Sequence, residues 1–285
     1  MKNPVHALLL FALSASLFPV TAQPRIDKAP QPGKPFFLIQ ISDPQLGFRE
    51  EQGFAEGERL LTETVDAINA LHPAFVIVTG DMINSSGNEE QLAAYKRLIA
   101  RIREDIPVFH LPGNHDIGKY TPEHIRSYLD RFGYERFAFR YGDCAFIGIN
   151  SCPIKEGCTG AEAEQYDWLC GQLDAMKDCR AAFVFMHHPP VLQERNEPEN
   201  YSNLSESMRQ RYIGLFARNG VDAVFAGHLH ATAYCEIDGL KIITCGPSGK
   251  PLGKGFSGMN VITVYADSSF SSEYVKPSTF NAPFH

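Results

Sequence analysis

Five short apolar runs each break off into residues that can hold a metal ion, and this repetition constrains the chain more than any other feature. FFLIQIS (36–42) runs into Asp43, and AFVIVTGD (74–81) ends in Gly80-Asp81. IPVFHLPG (106–113) runs into Asn114-His115-Asp116, AAFVFMH (181–187) ends in His187 followed by His188, and VDAVFAGH (221–228) ends in His228-Leu229-His230. Runs of this length, rich in Val, Ile and Phe, read as buried strands. Between them lie segments with apolar residues at helical spacing, at 57–71, 89–103, 121–132, 161–177 and 205–219. The segment at 121–132 opens with Thr121 as a cap and Pro122 at the first helical position. Such alternation predicts an α/β protein in which the polar groups gather at one sheet edge, where ligands bind in α/β folds.

The second half turns toward β structure. FAFRYGDCAFIGIN (137–150) reads as two strands about a Gly-Asp turn. ATAYCEIDGLKIITCG (231–246) and NVITVYAD (260–267) read as antiparallel strands, with Asp238-Gly239 as the central turn. A βα series followed by a β-rich tail predicts two sheets.

Residues 1–22 carry Lys2, a mostly apolar run from Val5 to Phe18, and small residues up to Ala22. They read as a secretory signal peptide cleaved near Ala22, too short to span a membrane, so the protein is expected to be exported without a membrane anchor. Residues 23–34, rich in Pro and Gln, read as a leader without a core, and 35–285 as the folded domain. The charge is mildly acidic, at −7 overall. With no basic run, a nucleic-acid groove is excluded. In an exported chain the seven cysteines predict disulfides. Nearness in sequence offers Cys152/Cys158, Cys170/Cys179 and Cys235/Cys245 as pairs, leaving Cys144 over.

One Asp after a strand is ordinarily a turn residue or a helix cap, and one His beside Pro is ordinarily structural. Here five of the ten histidines, His115, His187, His188, His228 and His230, all fall just after apolar runs. Carboxylates, an amide and imidazoles together suit Mn, Fe or Zn better than a purely oxygen-ligated ion, with Mg as a further option. The set is large enough for two divalent or trivalent ions sharing one Asp. Two such ions, roughly 3.5–4 Å apart, activate water and clamp the oxygens of an in-line displacement at phosphorus. His115 is then spare for proton transfer, and Asp116 is expected to orient it.

The ordered set Asp43-x-Gln45, Gly80-Asp81, Gly113-Asn114-His115-Asp116, His187 and Gly227-His228-Leu229-His230 resembles the calcineurin-like metallophosphoesterases. The resemblance implies two face-to-face mixed β-sheets flanked by helices, a four-layer α/β/β/α sandwich. It implies Asp43, Gln45, Asp81 and His230 around one metal. Asp81 would bridge to a second metal held by Asn114, His187 and His228, with His115 as the acid at the leaving oxygen. His188 would stand behind the ligands. Most of the family has His at position 45, and a subgroup that includes an animal serine/threonine phosphatase reads Asp-Pro-Gln. NYSNLS (200–205), Arg209 and KPLGKGFSG (250–258) resemble that subgroup further. The loop around 191–205 and the turn 246–258 are expected to wall the pocket, with Tyr201, Asn203 and Lys250 as candidates to touch substrate. The expected activity is hydrolysis of phosphomonoesters on small molecules or phosphoproteins. A phosphodiesterase on the same site is the alternative. A protein that binds metal or phosphate without turnover is a third reading, supported by Gln45 alone.

Overall fold

Alternation along β1 (Phe36–Ile41) shows how the layers are sorted. Ile39 and Ile41 join one buried cluster while Leu38 joins another, because successive strand side chains point to opposite faces. A computed structural model describes residues 23–31, 33–50 and 53–280, so the expected signal peptide lies outside the described residues. After β1 come α1 (Ala55–Leu71), β2 (Val76–Thr79), α2 (Glu89–Ile99), β3 (Val108–Leu111), α3 (Asn114–Ile117) and α4 (Pro122–Phe132). Then follow β4 (Phe137–Tyr141), β5 (Cys144–Gly148), α5 (Cys152–Lys155), α6 (Thr159–Ala175), β6 (Ala181–Phe185), α7 (Glu206–Arg218) and β7 (Ala223–Ala226). The chain closes with β8 (Ala233–Ile237), β9 (Leu240–Thr244), β10 (Met259–Val264) and β11 (Phe270–Val275).

One sheet has the order β11-β10-β1-β2-β3 and the other β4-β5-β6-β7-β9-β8. In the first, β1, β2 and β3 are parallel, and β10 and β11 extend it antiparallel. In the second, β5, β6, β7 and β9 are parallel between antiparallel β4 and β8. Helices α1 and α2 cover the outer face of the first sheet, and α6 and α7 that of the second. Between the sheets lies a cluster dominated by Phe75, Phe109, Phe137, Phe146, Phe183, Phe185 and Phe225. Phe75 meets Phe109 and Phe146 edge to face, a favoured arrangement of aromatic quadrupoles. The two sheets read from the chain, and the four-layer sandwich that the family resemblance implies, are the observed architecture.

The inner layer also holds a buried amide that ties the sheets together near the site. Gln40 donates to Thr79 Oγ1 at 3.0 Å and to the Ala226 carbonyl at 2.9 Å. Its Oε1 accepts from Asn260 Nδ2 at 3.1 Å. A fully paired buried polar group costs little and fixes one alignment of the sheets. Here it brings the ends of β1, β2 and β7 together.

Three expectations need correction. All seven cysteines are free thiols in this structure. In the β8–β9 hairpin Cys235 stands opposite Ile242 and packs in the outer cluster, whereas the Cys245 thiol faces the Gln40 carbonyl. The two therefore point to opposite sides of the sheet. Strand β11 was not expected, because FSSEYV carries few apolar residues and is only half-buried. The helix expected at 89–103 stops at Ile99. The described leader residues form no helix or strand, and Ile26 packs against the inter-sheet cluster.

His110 on β3 gives the fold an acid-sensitive point. Its Nε2 is sealed from water without a hydrogen-bond partner, and burial, reinforced by nearby Lys96, pushes the imidazole down to about 4. Between that value and the unfolded value near 6.5 the unfolded chain binds the extra proton, so stability falls as pH drops through this window, by on the order of 3 kcal/mol. Denaturant midpoints at pH 7 and pH 4.5 should show the loss, and His110→Phe should reduce it. An equal loss in both proteins would contradict this assignment.

Candidate metal centre

The strand ends deliver their polar residues in strained backbone. Asp43, Gln45, Asp81, His228 and His230 all have positive φ, between 35° and 73°. Residues other than glycine rarely adopt this region, and such strain collects at functional sites. Two glycines permit the close approach. A Cβ on Gly113 would lie 2.2 Å from Asp81 Oδ1, and one on Gly227 would lie 1.8 Å from Ser42 Oγ.

Two groups of donor atoms converge around Asp81. On one side His187 Nδ1 is hydrogen-bonded to the Thr79 carbonyl at 2.8 Å, which leaves Nε2 for a ligand. That Nε2 lies 3.4 Å from Asp81 Oδ2, 3.0 Å from Asn114 Oδ1 and 3.1 Å from His228 Nδ1. On the other side His230 Nδ1 bonds the Lys250 carbonyl at 2.7 Å, and its Nε2 stands 3.7 Å from Asp43 Oδ1. Asp43 Oδ1 and Gln45 Oε1 are both buried without a hydrogen-bond partner. Orphaned acceptors of this kind are costly in an apolar interior. Two carboxylates, two amide oxygens and three imidazoles, with ligand atoms of Asp43, Asp81 and His187 within 4.8 Å of one another, fit a pair of divalent cations.

The electrostatics agree with that fit. Burial alone would raise Asp81, but neighbouring His187 outweighs it and holds the carboxyl down to about 2. Burial would lower His187, yet the Asp81 charge lifts it to about 9. Burial, aided by His187, pushes His228 down to about 3. Burial also pushes Asp43 up. The acid cluster thus depends on nearby positive charge.

The supporting groups are those the sequence did not single out. Ser42 Oγ donates to Asp43 Oδ2 at 2.5 Å, and the His228 amide donates to the same oxygen at 2.9 Å. Gln45 Nε2 donates to Asn84 Oδ1 at 3.3 Å, which turns its Oε1 away as the free acceptor. Phe48 packs on the His230 ring with centroids 4.6 Å apart. These residues carry no spacing motif, so only the fold reveals them.

Of the His-His pair, His187 meets Asp81 and Asn114. His188 bonds Ser151 Oγ through Nδ1 at 2.9 Å and packs behind the His228 ring at 4.5 Å. His115 Nδ1 is bonded to the Asn84 carbonyl at 2.7 Å, which leaves Nε2 uncommitted, and His115 lines the cavity beside it. Asp116, expected to orient that imidazole, does something else. Its oxygens accept from the backbone of Met82, Ile83 and Gly113, and burial lifts it to about 7. It fixes the loop that carries His115, not the ring.

The pocket candidates divide. Tyr201 reaches the site: its OH accepts from Asn114 Nδ2 at 3.1 Å and its ring lies 4.7 Å from that of His228. Asn203 is fully buried and bonded within its own loop, to Glu197, Pro198 and Asn200. Lys250 acts through its carbonyl on His230, while its Nζ bonds the Arg49 carbonyl at 3.2 Å.

The fold and this donor set define a metal-dependent phosphoric ester hydrolase. The model of the family "calcineurin-like phosphoesterase" matches residues 38–232, and the chain belongs to that family. It is 33% identical over 254 residues to the serine/threonine-protein phosphatase CPPED1 of Bos taurus, covering 82% of this chain and 81% of that protein. In fold it is similar to the purple acid phosphatase PPD1 from yellow lupin seeds, with a TM-score of 0.65 at 15% identity, covering 89% of this chain and 54% of that one. A dimetal phosphatase from Danio rerio is similar with a TM-score of 0.58 at 14% identity, covering 85% of this chain and 99% of the other. No helix among the described residues is long and apolar enough to cross a membrane.

As a ligand, Gln45 would offer a harder, neutral oxygen where an imidazole would bind transition metals more strongly. Gln45→His should therefore raise the affinity of the Asp43 site for Zn by roughly tenfold, or about 1.4 kcal/mol. Competition against a chromophoric chelator measures this. Unchanged or weaker binding would show that position 45 is not a ligand.

Proposed function

We propose that the protein is a binuclear-metal phosphatase that hydrolyses phosphomonoesters, with His115 as proton donor to the leaving oxygen. The carrying observation is the pair of orphaned acceptors, Asp43 Oδ1 and Gln45 Oε1, the first of them 3.7 Å from His230 Nε2, whose ring is already committed through Nδ1 to the Lys250 carbonyl. Asp43, Gln45, Asp81 and His230 would hold one ion and Asp81, Asn114, His187 and His228 the other, with Mn, Fe or Zn favoured by the donor chemistry. Such ions, when bound, supply an activated water and positive charge at the phosphoryl oxygens.

The chain's own residues contribute position and a proton. The Asn84 carbonyl holds His115 through Nδ1, so a second proton on Nε2 can pass to the departing alcohol. Asp116, through the backbone of residues 82, 83 and 113, keeps the loops of Asp81 and His115 in register. The apolar run from Val5 to Phe18 supports export, where such an enzyme would act on phosphate esters outside the cytoplasm.

The test is turnover of metal-stripped protein reloaded with Mn, Fe, Zn or Mg, on p-nitrophenyl phosphate and its bis ester side by side. Monoester kcat/KM is expected to exceed that of the diester by tenfold or more. The reverse ratio would make the protein a phosphodiesterase. Two bound ions with no turnover of either ester would favour the non-catalytic binding role.

A further inference from the structure

Beside His115 a cavity of about 440 Å³ is lined by Asn84, Ser85, Ser86, Asn114 and Tyr201. No Asp, Glu, Lys or Arg is among its described lining residues. Its walls are held in place. Gln91 Oε1 accepts from the backbone of both Asn84 and Ser85 at 3.1 Å, pinning one side to α2. On the other side Glu197 accepts from the amides of Leu192, Gln193 and Glu194 and from Asn203 Nδ2. Lys155 Nζ donates to the carbonyls of Asn200 and Asn203. Arg209, fully buried, stands 3.9 Å from Glu197. Tyr201 is therefore presented on a braced loop while 65% of its surface stays exposed.

We propose that this cavity receives the leaving group and selects phosphate monoesters of neutral, hydroxyl-rich alcohols, namely sugar or polyol phosphates. The inference rests on the phosphatase reading above and adds the substrate class. Amide and hydroxyl side chains both donate and accept, so they match a ligand whose hydroxyls do the same. A leaving group bearing a further phosphate or carboxylate would find no Lys or Arg among the described lining residues to hold it. A purely apolar leaving group would find only the Tyr201 ring. The cavity volume is large enough for a sugar unit, and no Lys or Arg is among its described lining residues to recognise the flanks of an acidic phosphopeptide. In the reaction, water oxygen bonds to phosphorus as the bond from phosphorus to the alcohol oxygen breaks. The leaving oxygen takes a proton from His115, the attacking water releases one to bulk solvent, from which His115 is reprotonated, and inorganic phosphate and the free alcohol result.

Steady-state kinetics of the metal-loaded protein test this on glucose 6-phosphate, glycerol 1-phosphate, ADP, pyrophosphate and an acidic phosphoserine peptide, with p-nitrophenyl phosphate as reference. The two polyol esters should exceed each charged substrate by about tenfold or more in kcat/KM. Tyr201→Ala should raise KM for glucose 6-phosphate about tenfold. Ser86→Arg should shift the glucose 6-phosphate to pyrophosphate ratio about tenfold toward pyrophosphate. Saturation-transfer NMR of glucose with wild-type protein should show contacts that Tyr201→Ala loses. Equal or better turnover of ADP, pyrophosphate or the phosphopeptide, with p-nitrophenyl phosphate still hydrolysed, would overturn this inference and leave the phosphatase reading standing. No turnover of any ester with two ions bound would remove both.

Discussion

Asp81→Asn should lower turnover of p-nitrophenyl phosphate by roughly 10³-fold or more, about 4 kcal/mol of barrier, and reduce bound metal from two ions to one or none. Asp81 lies within reach of His187 on one side and Asp43 on the other, so in the proposed centre its charge would serve both ions. The substitution is nearly isosteric, and the remaining amide oxygen can still accept from the His115 amide, which now bonds Asp81 Oδ1 at 2.8 Å. The backbone around His115 should therefore keep its place. The expected pattern is lost metal and lost turnover with an unchanged circular dichroism spectrum. Two ions retained with wild-type turnover would show that Asp81 is not the shared ligand.

His115→Asn should leave both ions bound and lower kcat for alkyl phosphates by about 10²–10⁴-fold, the range for a positioned acid. The loss should depend on the leaving group. A nitrophenolate departs without a proton, so p-nitrophenyl phosphate should lose less than tenfold while glycerol 1-phosphate bears the full effect. Comparing the two substrates in one variant separates proton donation from damage to the site. Equal losses on both would assign His115 a structural role.

The sequence made the strand ends legible because each buried strand is a mostly apolar run and each candidate ligand sits at its edge. Asp43, Asp81, Asn114, His228 and His230 stand out by that pattern and the order of the motifs, whereas the choice of His187 over His188 rests on the family resemblance. What escaped depends on contacts between distant segments. Asp116 looks like a partner for its neighbour His115, but three backbone amides claim its carboxylate. Asn203 lies in the expected pocket loop yet folds inward, while Tyr201, two residues earlier, reaches Asn114. The cysteine pairs failed for a related reason. Nearness in sequence says nothing about which face of a strand a thiol occupies, and the β8–β9 register sends Cys235 outward. Ser42 and Asn84 were invisible because an ordinary Ser or Asn acquires its role only when its loop meets another.

The most direct test of the central claim, a phosphoester hydrolase built on two ions sharing Asp81, is turnover against added metal. Metal-stripped protein is titrated with Mn while p-nitrophenyl phosphate hydrolysis is followed. Activity should be absent without metal, stay low through the first equivalent, and reach its plateau at the second. Full activity in the stripped protein, a plateau at one equivalent, or no activity with two ions bound would each contradict it.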